Sequence, residues 1–106
     1  MKKYILTIDL GGTYLLSALY NESGSLEDKS IIETHKNKYL DPKNLTFSVE
    51  SFYSLISEKI RNKSISGIAI SIPGIVNKSS NLIGEIINVK NNISGINLKG
   101  KIQEKF

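Results

Sequence analysis

The stretch Asp9-Leu10-Gly11-Gly12-Thr13 carries the residue types best suited to chemistry. Two adjacent glycines lack a Cβ, so the backbone there can take positive φ and a ligand can approach closely. The amides of a tight turn can converge on an anion, and the Thr13 hydroxyl can donate one more hydrogen bond. Asp9 adds a carboxylate able to hold Mg²⁺, usually through water, where the phosphates of a nucleotide would lie. The stretch is not a P-loop, because it lacks the Lys-Ser/Thr ending and leads into a strand. The competing reading is a plain hairpin, with glycines for geometry and Asp9 as a local turn acceptor. An apolar strand directly before the turn and another directly after it favour the binding role.

Those flanking strands set the frame. YILTIDL at 4–10 and TYLLSALYN at 13–21 are rich in apolar and β-branched residues. The two-glycine gap is too tight for a crossover helix, so they should pair as an antiparallel hairpin. LEDKSIIET at 26–34 reads as a third strand, followed by a polar connection over 35–41. Asp41-Pro42 is a helix-start signal, with Thr46 and Glu50 as a rival start. Leu45, Val49, Phe52, Ile56 and Ile60 recur at steps of four and three, which places one apolar stripe on a helix over 45–61. SGIAISIPG at 66–74 reads as a buried strand ended by Pro73-Gly74. It should return to the sheet parallel to the first strand, as a crossover helix permits. Residues 75–97 read as a long loop with a short strand pair. LKGKIQEKF at 98–106 reads as a helix through Leu98, Ile102 and Phe106, weakened by Gly100.

Composition narrows the function classes. The chain has 106 residues, enough for one small domain, with 40% hydrophobic and 23% charged residues. Its net charge of +4 is mild and the basic residues are scattered, so neither nucleic acid nor a lipid surface is indicated as a partner. No cysteine means no disulfide framework, no thiol nucleophile and no thiolate zinc site. A single histidine, His35, reads as a surface residue. No apolar run reaches the length of a membrane span, and the basic start Met1-Lys2-Lys3 is followed too soon by Asp9 for a signal peptide. A cytoplasmic location is expected.

IDLGGTYLLSALYNESG resembles the first phosphate-binding hairpin of the sugar kinase, hexokinase and actin-like superfamily. GIAISIPGIVN at 67–77, the region around Asn88-Val89, and GINLKGKIQEKF resemble the ROK family of repressors and kinases. The resemblance covers nearly the whole chain in the expected order. It implies an α/β fold: an incomplete ribonuclease-H-like (actin-like ATPase) lobe over 1–106, with a mixed sheet in β-β-β-α-β order. It also implies ATP and Mg²⁺ over the turn, with Asp9, Gly11, Gly12 and Thr13 as the matching residues. Gly74 matches a glycine that borders the sugar site, and Asn88 an asparagine that flanks it. Ile93 stands where many members have Trp.

The resemblance places the remaining machinery beyond Phe106. An Asn-Asp pair with the general base, a Glu-x-Gly-His motif, a cysteine-bearing zinc motif and the adenosine pocket all have no match in this chain. The expected identity is therefore the N-terminal lobe of a ROK-type sugar kinase, which phosphorylates a hexose or related sugar with ATP in its parent protein. The chain alone is expected to be inactive, with no catalytic residue and no zinc. The alternatives are a ROK-type transcriptional regulator and a sugar-sensing noncatalytic actin-like module. With a first strand starting almost at Met1, no helix-turn-helix is expected ahead of it, which favours the kinase reading over the regulator. An incomplete lobe with an open sheet edge is also expected to self-associate.

Overall fold

Three successive strands open the fold: the apolar-rich β1 (Lys3–Leu10) and β2 (Tyr14–Asn21), and β3 (Leu26–Glu33), whose first half is polar and exposed. In the computed structural model, which describes residues 2–41, 43, 46–86 and 89–106, these strands pair antiparallel in sequence order. A 3₁₀ turn over Thr34–Lys36 follows. Then come the two-residue β4 (Thr46–Phe47), helix α1 (Val49–Lys59) and β5 (Ser64–Ser71). The chain ends with β6 (Lys90–Asn91) and helix α2 (Leu98–Lys105). The main sheet has the order β3-β2-β1-β5, with β5 parallel to β1 as expected for a strand returning after a crossover helix.

Register decides which side chains are buried. Leu6, Ile8 and Leu10 of β1 stand opposite Leu19, Ser17 and Leu15 of β2, and all six are buried on one face. Phe52, Leu55 and Ile56 of α1 belong to the same core, with Phe47 beside Phe52 in an edge-to-face pair at 4.6 Å. The helical stripe is therefore confirmed at Val49, Phe52 and Ile56, with Ile60 partly buried at the helix end. Leu45 lies outside the described residues.

The helix starts later than either sequence signal implied. Ser48 is the N-cap: its hydroxyl accepts from the Ser51 amide, and the Ser51 hydroxyl accepts in return from the Ser48 amide. This reciprocal pair satisfies two otherwise orphaned donors and fixes Val49 as the first helical residue. Thr46 is instead in β4, which pairs parallel with β6. The Asp41 carboxylate accepts from the Lys43 amide in a local turn, and Pro42 lies outside the described residues. The following strand begins at Ser64 rather than at residue 66, because Asn62 takes a left-handed φ of 60° and reverses the chain early.

Residues 75–97 carry more of the core than a loop reading implied. Val76 and Ile83 form a short bridge, and Ile83, Ile86, Val89 and Ile93 are buried. Helix α2 is present with Asn97 as its cap, the Asn97 side chain accepting from the Gly100 amide. Leu98 and Ile102 are buried as expected, but Phe106 remains 45% exposed, its ring 6.0 Å from that of Tyr53 in an edge-to-face arrangement. Among the described residues, no helix is long and apolar enough to cross a membrane.

One surface clamp fixes the 38–39 segment to α1. Lys38 Nζ lies 2.9 Å from Glu58 Oε1, and the Tyr39 hydroxyl donates to the other carboxylate oxygen. The hydrogen bonds from Tyr39 and then Lys38 hold the Glu58 carboxyl below its usual value. Partial burial, and then the bond to Glu58, pushes the Tyr39 phenol above the usual tyrosine range. A depressed carboxyl contributes stability above its unfolded pKa and loses it as pH falls through the folded value. Glu58→Gln is therefore expected to cost about 0.2–1 kcal/mol at neutral pH, as exposed pairs do. Urea midpoints of variant and wild type should converge as pH falls below the ordinary carboxylate range.

Candidate functional site

The turn between β1 and β2 is held from outside itself. The Gly11 amide donates to the Tyr14 carbonyl at 2.8 Å, which closes the hairpin. Thr34, only 3% exposed at the end of β3, then ties the turn down twice. Its amide donates to the Thr13 carbonyl at 2.7 Å and its hydroxyl to the Gly11 carbonyl at 2.8 Å. Two of the turn's carbonyls are thus taken up by the protein. The Gly12 and Thr13 amides donate to no acceptor among the described residues. A turn whose carbonyls are occupied and whose amides are free presents positive partial charge, which suits an anion.

The glycine pair serves a different geometry from the one expected. Positive φ occurs at Gly24 and Gly95, not at Gly11 or Gly12. What requires a glycine at Gly11 is space: a Cβ there would lie 2.8 Å from the Tyr14 carbonyl oxygen. Gly74 is required for a similar reason, since its Cβ would lie 2.7 Å from the Glu85 carbonyl oxygen. It lets the turn after β5 abut the 84–86 segment, where the Gly84 amide donates to the Ile75 carbonyl.

Asp9 lies at the carboxyl end of β1, in register with Ser71 at the carboxyl end of the parallel β5. Its side chain is exposed, and Oδ1 accepts from the Ser71 hydroxyl at 2.5 Å. Oδ2 has no protein donor among the described residues. Carboxyl ends of neighbouring parallel strands are where open α/β sheets place ligands. A carboxylate with a free oxygen, on the strand that leads into the turn, is of a type that fits a water-bridged Mg²⁺.

A cavity of about 590 Å³ opens beside the turn, between Gly12, His35, Lys43, Glu85, Lys90 and Asn91. Of the residues expected in the site, Gly12 alone lines it. Asp9, Gly11, Thr13 and Gly74 do not, and Asn88 lies outside the described residues. His35 is largely exposed at the rim, 3.3 Å from Glu33. Sequence reasoning missed Thr34 and Ser71, whose positions are set by strand register. It also missed Lys90 and Asn91, brought to the turn by the pairing of β6 with β4.

A mixed sheet with a glycine hairpin at the carboxyl end of β1, packed against helices, has the fold of an actin-like ATPase type of lobe. The chain matches the ROK family model over residues 5–106, and it belongs to the ROK family. Solved structures agree. A ROK family protein from Streptococcus pneumoniae, in complex with sucrose, is 27% identical with a TM-score of 0.68, over 96% of this chain and 31% of that one. A ROK family transcriptional regulator, a homolog of the E. coli MLC protein, is 19% identical with a TM-score of 0.70, over 97% of this chain and 25% of that one. A ROK family glucokinase from Streptomyces griseus, bound to glucose and AMPPNP, is 15% identical with a TM-score of 0.65, over 96% of this chain and 30% of that one. The chain thus spans about a third or less of the length of these structures. No curated protein sequence matches it.

Proposed function

We propose that this chain is the N-terminal, ATP-phosphate-binding lobe of a ROK-type sugar kinase acting on a hexose or related sugar in the cytoplasm. The observation that carries the reading is the turn at Gly11–Thr13, with its Gly11 and Thr13 carbonyls bound by Thr34 and its Gly12 and Thr13 amides without an acceptor among the described residues. In this reading those amides and the Thr13 hydroxyl hold the terminal phosphates, and Asp9 holds Mg²⁺ through water. The metal, when bound, neutralises charge that builds on the transferring phosphoryl group. In this reading Gly74, which keeps the turn after β5 close to the 84–86 segment, and Asn88 are the sugar-side residues that the family's pattern assigns. The glucokinase neighbour bound to AMPPNP supports this reading, while the regulator neighbour supports a ROK regulator as the second one.

Binding of the nucleotide separates the two. In amide NMR spectra of the 106-residue chain, Mg²⁺-ATP at high concentration is expected to shift the Gly12 and Thr13 resonances first. Gly12→Val should remove that response, since its side chain fills the anion position. If the turn stays unmoved while other amides respond, the phosphate role is lost. Turnover is expected to be absent, because general-base catalysis alone contributes about 10²–10⁴-fold and the Asn-Asp pair that supplies the base in the family's pattern has no match in this sequence. Sugar-dependent ADP release by a chain verified by mass to end at Phe106 would contradict the reading.

A further inference from the structure

Thr34 is held on both sides before its side chain acts. Glu33 pairs with Tyr14, so the Thr34 amide reaches the Thr13 carbonyl one step beyond the β2–β3 ladder. The Thr34 carbonyl in turn accepts from the Asn37 amide at 3.2 Å, which closes the 3₁₀ turn behind it. With the backbone fixed in this way and the residue buried, the hydroxyl donates to the Gly11 carbonyl at 2.8 Å.

That carbonyl belongs to the same peptide unit as the Gly12 amide. In a planar trans peptide the C=O and the N–H point in opposite directions. The bond that pins the Gly11 oxygen to Thr34 therefore also aims the Gly12 N–H away from Thr34. Residue type explains why a pin is needed. A peptide unit between two glycines has no Cβ on either side, and turning it over exchanges its carbonyl and its amide at little steric cost. The flipped unit would offer an anion a carbonyl oxygen, which repels it. The Thr13 carbonyl is different, because the backbone amide that binds it would be supplied by any residue at 34 except proline. The orientation of the Gly11–Gly12 unit is thus what the side chain at 34 controls.

We propose that Thr34 is a positioning residue for the phosphate turn: its hydroxyl locks the Gly11–Gly12 peptide with the Gly12 amide facing the anion. The inference rests on the phosphate role proposed above. Amide NMR on variants of the 106-residue chain tests it, with circular dichroism as the check of folding. Thr34→Val keeps the side chain's shape and removes the hydroxyl, while Thr34→Ser keeps the hydroxyl and removes the methyl. Thr7→Val removes a hydroxyl that reaches the Ala18 carbonyl of the same hairpin, away from the turn. Relaxation dispersion reads exchange on the microsecond-to-millisecond scale. It should find the Gly12 amide quiet in wild type, Thr34→Ser and Thr7→Val, and exchanging in Thr34→Val. The initial slope of the Gly12 shift against Mg²⁺-ATP should fall about tenfold in Thr34→Val alone, the effect of losing one hydrogen bond to a charged group. A wild type whose Gly12 amide already exchanges overturns the proposal before any variant is made. A Thr34→Val chain with an undiminished slope overturns it while the phosphate role stands. So does a Thr34→Ser or Thr7→Val chain that behaves like Thr34→Val. A wild-type turn that ignores Mg²⁺-ATP overturns the phosphate role itself, and this inference with it.

Discussion

Replacing Phe52 with alanine is expected to cost about 3–5 kcal/mol, the range for a fully buried phenylalanine. Phe52 is 0% exposed, and its ring meets the equally buried Phe47 edge to face at 4.6 Å. Such a pair adds about 0.5–1.5 kcal/mol beyond the area it buries. The loss would be felt widely, because Phe52 joins α1 to the core that also holds β1 and β2, while Phe47 anchors β4 beside β6. Domains of this kind have only about 5–15 kcal/mol in total. Thermal unfolding followed by circular dichroism should show the midpoint falling by at least about 10 °C, since each kcal/mol shifts a domain of this size by about 4–8 °C. Phe106→Ala, at a half-exposed ring, is the comparison and should move the midpoint little. A Phe52 variant no less stable than the Phe106 variant would contradict the packing described.

Gly11→Val should destabilise the hairpin and, with it, remove the phosphate binding proposed for this turn. Its Cβ would lie 2.8 Å from the Tyr14 carbonyl oxygen, a backbone atom that cannot swing away as a side chain can. The turn must then open, straining both the Gly11 amide bond to Tyr14 and the Thr34 hydroxyl bond to the Gly11 carbonyl. Overpacking of this kind costs about 1–3 kcal/mol. Gly67→Ala is the internal reference, since nothing lies within 4 Å of a Cβ there. Urea unfolding should separate the two variants, and the Gly12 and Thr13 amide response to Mg²⁺-ATP should vanish in Gly11→Val alone. A Gly11→Val chain with native stability and an intact response would show that the turn tolerates a side chain and does not depend on this close approach.

How much of this was legible in the sequence varied with the range of the interaction. Strands and helix stripe follow from local periodicity, which is why β1, β2, β3 and the Val49, Phe52 and Ile56 face were readable. The helix start was not: the two starts read from the sequence, Asp41-Pro42 and Thr46 with Glu50, both precede the true cap at Ser48, a residue type equally able to cap. Only the capping geometry at Ser48, together with the pairing of Thr46 and Phe47 to β6, decides among them. The burial of Ile83, Ile86, Val89 and Ile93 was hidden for a similar reason: residues without regular spacing show no face until the chain has folded over them.

The sequence by itself determined the glycine turn between two apolar strands, the mixed sheet with its parallel return strand, and the ROK pattern along the chain. These depend on residue type and on spacing between near neighbours. The tertiary structure alone decided that Thr34 ties two of the turn's carbonyls, that Ser71 meets Asp9, and that Lys90 and Asn91 line the same cavity as Gly12. It also decided that Gly11 is needed for a close approach rather than for positive φ. Each of these joins segments brought together by strand register or by the fold of a long loop. Register is a cooperative property of paired strands, and a slip of one residue would turn every one of their side chains to the opposite face.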